Sequence, residues 1–319
     1  WNSLSGIVGL SSNAIYEITK LFFPDLPVEN YWSVLVIAMV ILITLYFLLI
    51  VGQYSFFEKV LIFFVTLMGI SFIISMFIVL PAPGEIVKGF IPSIPKGEGG
   101  NLMVAAFVGT TMAAPTFVVR PLLMQGKGWG KDQVQNQARD AFSSALLMFI
   151  ISGSIMITAM GAMYYKGLTI NKVIDMVYTL EPVAGKFAVA LFMTGALSAG
   201  LSSIFPILMV APLLVADYRN GQLDVKSKLF KRLTAVACVV GLSVPILGAN
   251  PIVAQIATQV ANVFVLPLVI GGIIYIINQK KLMQEHKAGW LLNSGLVLAL
   301  LFSCLISLLG FQALLDFLN

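Results

Sequence analysis

The chain has 319 residues, 59% of them hydrophobic and 10% charged, with a formal net charge of +5. Its mean hydropathy of +0.97 excludes an ordinary soluble domain, in which about a quarter of the residues are charged. A pI of about 9.1 would suggest nucleic acid as the partner of a soluble protein; in a chain this apolar it marks basic loops flanking a membrane, and no nucleic-acid partner is expected.

Hydrophobic runs between polar breaks predict nine helices, near 3–22, 32–51, 58–80, 102–123, 140–165, 184–215, 231–248, 251–278 and 289–316. Each approaches or exceeds the ~20 residues that cross a bilayer core. The run at 184–215 is longer than one span needs, so it either protrudes or is broken. Cys238 and Cys304 both fall inside apolar runs, which argues against a disulfide framework. The chain opens at Trp1, without Met or a secretory signal, on residues that already read as helical; it is taken as a fragment forming a single transmembrane domain over 1–319.

Basic residues set the expected orientation. Loops after the even-numbered spans hold thirteen of the 19 Lys and Arg residues: Lys59, Arg120, Lys127, Lys131, Arg139, Arg219, Lys226, Lys228, Lys231, Arg232, Lys280, Lys281 and Lys287. Loops after the odd spans hold the other six, Lys20, Lys88, Lys96, Lys166, Lys172 and Lys186. The positive-inside rule then places Trp1 in the cytoplasm and Asn319 outside, in a multi-pass protein expected in a bacterial cell membrane.

The fourth span contains "GTTMAAPTFVVRP", Gly109 to Pro121. Pro115 lacks an amide hydrogen and clashes with the carbonyl four residues earlier, near Thr111, and Pro121 does the same near Phe117. Two readings stand: a proline kink repaired by neighbouring helices, or a discontinuous helix whose freed carbonyls coordinate a cation at mid-membrane.

The surrounding sequence bears on the choice. "GQYSFFEKVLIFFVTLMGISFIISM", "LPAPGEIVKGFIPSIP" and "AAFVGTTMAAP" occur in that order. They are followed by "LEPVAGKFAVALFMTGALSAGLSSIFPILMVAP" and "AQIATQVANVFVLPLV". Together they resemble the Nramp family of divalent-metal transporters over family helices three to eleven. The resemblance implies an all-α integral membrane protein with a LeuT-like fold of inverted repeats, working as a monomer in the lipid bilayer. The divalent cation would be its cargo, and no cofactor is implied.

The departures from the family pattern carry the specificity argument. Aligned on Gly109, the family's Met-Pro-His becomes Ala113-Ala114-Pro115, so the methyl of Ala113 stands where the family has a metal-ligating thioether. A histidine one helical turn further on becomes Arg120. Met112 lies one position early, and a slip in unwound backbone would bring its sulfur to the site as an alternative ligand. Thr110 aligns with the residue whose backbone carbonyl binds metal; Thr111 and Ala113 would line the same turn, and Gln255, Gln259 or Asn262 could add an amide oxygen or serve only as polar contacts between helices. The Met-less pattern resembles the Nramp-related magnesium transporters. Loss of a soft sulfur ligand removes the preference for transition metals and leaves room for an ion that keeps its waters, as Mg²⁺ does.

Pro115 and Arg120 stand where the family has histidines, and Arg120 is either a gating element or an anchor that snorkels to the interface. Glu17 and Glu58 lie near helix ends, and the single histidine, His286, lies in a loop, so no proton relay is expected. Ser202 and Ser203 read as packing residues or as part of the path. No phosphate-binding loop, zinc constellation or hydrolase elbow is present, and an enzyme is not expected. The expected function is transport of a divalent cation, Mg²⁺ or Mn²⁺, without proton coupling. The alternatives are a proton-coupled Mn²⁺ or Fe²⁺ importer, an amino-acid transporter on the same scaffold, and a non-transporting membrane scaffold.

Overall fold

The computed structural model describes residues 2–27, 30–51, 54–91, 93–94, 99–126, 128–220, 227–284 and 287–318. Trp1, Lys96, Lys127, Lys226, His286 and Asn319, named above, lie outside the described residues. The described part is α-helical, with short 3₁₀ turns and no strand among the described residues. In chain order the helices are α1 (Asn2–Phe22), α2 (Tyr31–Val51), α3 (Tyr54–Ile78), α4 (Pro83–Gly89) and α5 (Gly100–Thr111). They continue with α6 (Ala114–Gly126), α7 (Val134–Ala162), α8 (Glu181–Ala184), α9 (Ala188–Asn220) and α10 (Lys228–Gly241). The last four are α11 (Ser243–Leu247), α12 (Pro251–Asn278), α13 (Lys280–Met283) and α14 (Trp290–Leu318).

Among the described residues, eight segments are long and apolar enough to cross a membrane. The nine runs read from the sequence all become helices, but the first, α1, is outside that set of eight. The reason is its polar content: Ser3, Ser5, Ser11, Ser12, Asn13, Glu17 and Lys20 interrupt its apolar positions. It is instead among the most enclosed helices of its unit, with Leu4, Val8 and Ser12 fully buried. Elsewhere the apolar side chains face outward in numbers no soluble protein shows: Val40, Phe47, Leu298, Leu301 and Leu305 are all more than half exposed. This is an all-α integral membrane protein, and outward apolar faces are what lipid requires of it.

The chain divides into two compact units. One comprises Trp1–Pro92 and Met124–Ala254. Its inner seam joins Leu4 and Val8 of α1 to Leu42 and Leu45 of α2, Ile204 and Leu208 of α9, and Phe230 and Ala237 of α10. A second cluster packs Phe72 of α3 and Met193 of α9 against Val173, Val177 and Leu180. Val173 and Val177 lie on the 3₁₀ stretch Val173–Thr179, which Leu180 caps and which the sequence reading left inside a loop. Two side chains tie it down or hold its neighbours: Ser75 Oγ donates to the Thr179 carbonyl at 3.0 Å, and Thr158 Oγ1 to the Phe72 carbonyl at 3.3 Å.

The long run at 184–215 resolves into α8, a 3₁₀ turn at Gly185–Phe187 and then α9, which runs 33 residues despite Pro206 and Pro212. Gly185 makes the break possible, because its φ of +50° is one that side-chain-bearing residues avoid. The seventh run likewise ends early, with α10 stopping at Gly241 and a short α11 following. Cys238 and Cys304 are both free.

The other unit comprises Ser93–Leu123 and Gln255–Asn319. Ala105 and Ala106 of α5 pack on Val260 and Val263 of α12 and on Ile306 of α14. Ser307 Oγ donates to the Val263 carbonyl at 2.9 Å. At the loop end, Asn278 and Asn293 exchange amide hydrogen bonds of 2.6 and 3.1 Å, which joins α12 to the start of α14.

Candidate metal site

The fourth span is two helices. α5 ends at Thr111 and α6 begins at Ala114, with Met112 at φ −107° and ψ 51°, outside helical values. The Met112 N–H donates back to Val108 O at 2.8 Å and closes α5. Pro115 is the second residue of α6, where the missing N–H would have had no helical acceptor; it starts a helix here and does not kink one. The span is discontinuous between Thr111 and Ala114 and not a single helix kinked at a proline.

The break frees particular oxygens. The Thr111 carbonyl would accept from residue 115 in a continuous helix, and proline has no hydrogen to give. The Met112 carbonyl would accept from Thr116, but the Thr116 N–H goes to Ala113 O at 3.0 Å. Thr111 and Met112 thus present adjacent carbonyls without helical donors, while the Ala113 carbonyl already accepts one bond. The Thr111 hydroxyl is committed to Phe107 O at 2.9 Å, leaving its main-chain oxygen as the candidate ligand. Thr110 and Thr111 are exposed, and Met112 and Ala113 half-buried. Peptide carbonyls at the C-terminal end of a helix also carry its negative dipole end, which favours a cation.

The amide residues on α12 belong to the same unit. Gln259 is 8% exposed, and its Oε1 accepts from Asn262 Nδ2 at 2.9 Å. Gln255 is half-buried and receives the Thr258 hydroxyl on its main-chain oxygen at 2.8 Å and on Oε1 at 3.4 Å. What joins α12 to the broken helix is Gly109. A Cβ there would lie 2.8 Å from the Gln259 carbonyl carbon and 3.0 Å from Val263 Cγ2, so only glycine allows the approach. The sequence reading used Gly109 as an alignment anchor and missed its packing role. The break follows within one helical turn of that contact.

The other candidates are placed as follows. Arg120 is half-buried on α6, directly before Pro121, which lies inside that helix. Ser202 and Ser203 both bond Ala199 O of their own helix, at 2.9 and 2.8 Å. Nearby Gly200 faces Ser11 of α1, in keeping with a packing role for this run of small residues. Glu17 pairs with Lys20 at 3.2 Å, and Glu58 is exposed in the second turn of α3. Among the described residues no group of three His, Cys, Asp or Glu side chains gathers as a metal site. The candidate donors are neutral oxygens, the ligand type suited to hard divalent cations.

With this geometry in view, sequence comparison finds the family model "Natural resistance-associated macrophage protein-like", Nramp, matching residues 19–313. The chain belongs to the Nramp family. Three curated Nramp relatives are each named "Divalent metal cation transporter MntH". That of Caldanaerobacter subterraneus subsp. tengcongensis is 24% identical over 235 residues, covering 72% of this chain and 54% of the relative. That of Vibrio campbellii is 25% identical over 238 residues, with coverage of 73% and 55%. That of Clostridium acetobutylicum is 22% identical over 221 residues, with coverage of 67% and 50%. The chain spans about half the length of the curated relatives it matches.

Proposed function

We propose that this Nramp chain works as a divalent-cation transporter that carries Mg²⁺ and Mn²⁺ without proton coupling. The observation behind the reading is the interruption at Met112–Ala113, where the Thr111 and Met112 carbonyls lack their helical donors one turn past the contact of Gly109 with Gln259. Such a donor set offers oxygen and no charge. It suits an ion that retains part of its water shell, because carbonyls and amides can accept hydrogen bonds from bound water as readily as they ligate directly. The names of the relatives support the cargo class, and Ala113 in place of a thioether supports the harder ions.

One observation favours a second reading. Met112 occupies the break itself, as the residue closing α5, and a thioether there would suit a softer ion. Competition uptake in proteoliposomes of the full-length protein, Mg²⁺ against Cd²⁺, separates the two. Ala113→Met should raise Cd²⁺ preference up to about tenfold, equivalent to about 1.4 kcal/mol. Met112→Ala should leave selectivity unchanged; a loss of Cd²⁺ and Mn²⁺ uptake with Mg²⁺ preserved would transfer the assignment to the second reading. Failure of the wild type to move any divalent cation would end both.

A further inference from the structure

The first unit contains a cavity of about 660 Å³ that the broken helix does not use. It lies where α1, the first turns of α2 and α12, and the 171–173 segment meet. Its polar wall includes Asn13, Tyr16, Glu17, Asn171, Lys172 and Asn250, along with Asn30, which accepts from Ser33 N, and Tyr31, which donates to Ile246 O. Several of these groups are already committed. The Tyr16 hydroxyl donates to Pro27 O at 2.7 Å. Asn250 accepts from Ile252 N at 2.9 Å and donates to Asn171 O at 3.3 Å. What remains is a set of acceptors. Asn13 donates its Nδ2 to Gly9 O at 2.8 Å, and its Oδ1 accepts no hydrogen bond among the described residues. Asn171 donates to Thr169 Oγ1, and its Oδ1 is likewise open. Glu17 lies one helical turn from Asn13; Lys20 Nζ donates to both of its carboxylate oxygens, at 3.4 and 3.2 Å, and their remaining lone pairs can still accept.

A hydrated divalent cation presents a shell of outward-pointing O–H donors, the complement of such a wall. Six waters at about 30 Å³ each need roughly 180 Å³, well within the cavity. We infer that this cavity captures a hydrated divalent cation through its water shell, with Asn13 and Asn171 accepting from the waters and Glu17 supplying the attraction. The site is weak by construction, because Lys20 draws on Glu17 and Lys172 opposes the ion from the other wall. This inference rests on the divalent-cation reading above and adds a second place of recognition.

Opposite charge changes give the test. In proteoliposomes of the full-length protein, Glu17→Gln should raise the half-saturating concentration of Mg²⁺ or Mn²⁺, and Lys172→Gln should lower it. Each shift should reach about tenfold at low ionic strength, as expected for a divalent ion roughly 6 Å from a unit charge in water. A role of these side chains in folding alone would not move the two variants in opposite directions. Shifts of the same sign, or none, overturn the inference. Should Glu17→Gln not fold, the Lys172→Gln shift decides alone. If the wild type transports no divalent cation, the transport reading falls, and the cavity is judged by Mn²⁺ binding followed through the paramagnetic signal of the free ion. Binding weakened by Glu17→Gln and strengthened by Lys172→Gln upholds it; equal binding in all three proteins overturns it.

Discussion

Gly109→Ala tests the contact on which the candidate site depends. The added methyl would lie 2.8 Å from the Gln259 carbonyl carbon, 3.0 Å from Val263 Cγ2, and closer still to the Gln259 oxygen. Carbon atoms at rest stay ~3.5–4.0 Å apart, so roughly an ångström must open between α5 and α12. The obstacle is helix backbone, which cannot rotate aside as a side chain could. Overpacking of this kind costs about 1–3 kcal/mol, offset by up to ~1 kcal/mol from the better helix propensity of alanine. The net expectation is a loss of about 1–2 kcal/mol and a melting temperature lower by roughly 2–8 °C, at the usual conversion for chains of this size. Intrinsic-fluorescence melting in detergent measures it. The matched control is Gly153→Ala on α7, where no atom lies within 4 Å of the added methyl, and which should be neutral or slightly stabilising. If Gly109→Ala melts at or above Gly153→Ala, the close approach of α5 to α12 is wrong, and with it the placement of Gln259 against Gly109.

Three further outcomes are expected. Liposomes loaded with a pH-sensitive dye should show Mg²⁺ or Mn²⁺ uptake without acidification of the lumen; acidification that follows the metal would establish proton coupling. Ser227→Ala should destabilise α10 by about 1 kcal/mol, since the Ser227 hydroxyl accepts from Phe230 N at 3.1 Å as an N-cap. Hydrogen exchange should show the first turn of α10 opening more often, and unchanged protection there would count against the cap. Single cysteines introduced at Lys226 and Asn319 should react with an impermeant reagent added outside only at the second position, and the reverse pattern would invert the proposed orientation.

Much of the helix plan was legible because lipid imposes a simple rule. A span must be long and apolar, so the run at 251–278 coincides with α12 and the run at 32–51 begins one residue inside α2. The interruption at Met112–Ala113 was legible for a local reason: Pro115 cannot donate, whatever surrounds it. What could not be read were features fixed by contact. The 3₁₀ stretch Val173–Thr179 is too short to stand out as a span, yet Val173 and Val177 enter the core beside Phe72. Gly109 looks like any glycine in a run of small residues until Gln259 is found against it. Asn13 gave no signal, because its role comes from Asn171, far away in sequence, facing the same cavity. The candidate ligands on α12 were found as a cluster, but their order of commitment, with Asn262 donating to Gln259, belongs to side-chain geometry.

The unbroken length of α9 has a consequence for the membrane that holds it. Its 33 residues measure about 50 Å at 1.5 Å per residue, against a hydrocarbon core of ~30 Å. Even a lean of 40°, at the limit seen for such helices, still leaves it projecting over roughly 38 Å. Pro206 and Pro212 do not break it, so the excess cannot be folded away, and its far end carries the almost fully exposed Tyr218 into the headgroups. The helix is therefore a rod that registers hydrophobic mismatch. Bilayers of short acyl chains must tilt it or swell around it, and the seam it shares with α1 and α3 would carry that strain. Acyl-chain length thus becomes a control variable for this protein, as much as the ion supplied to it.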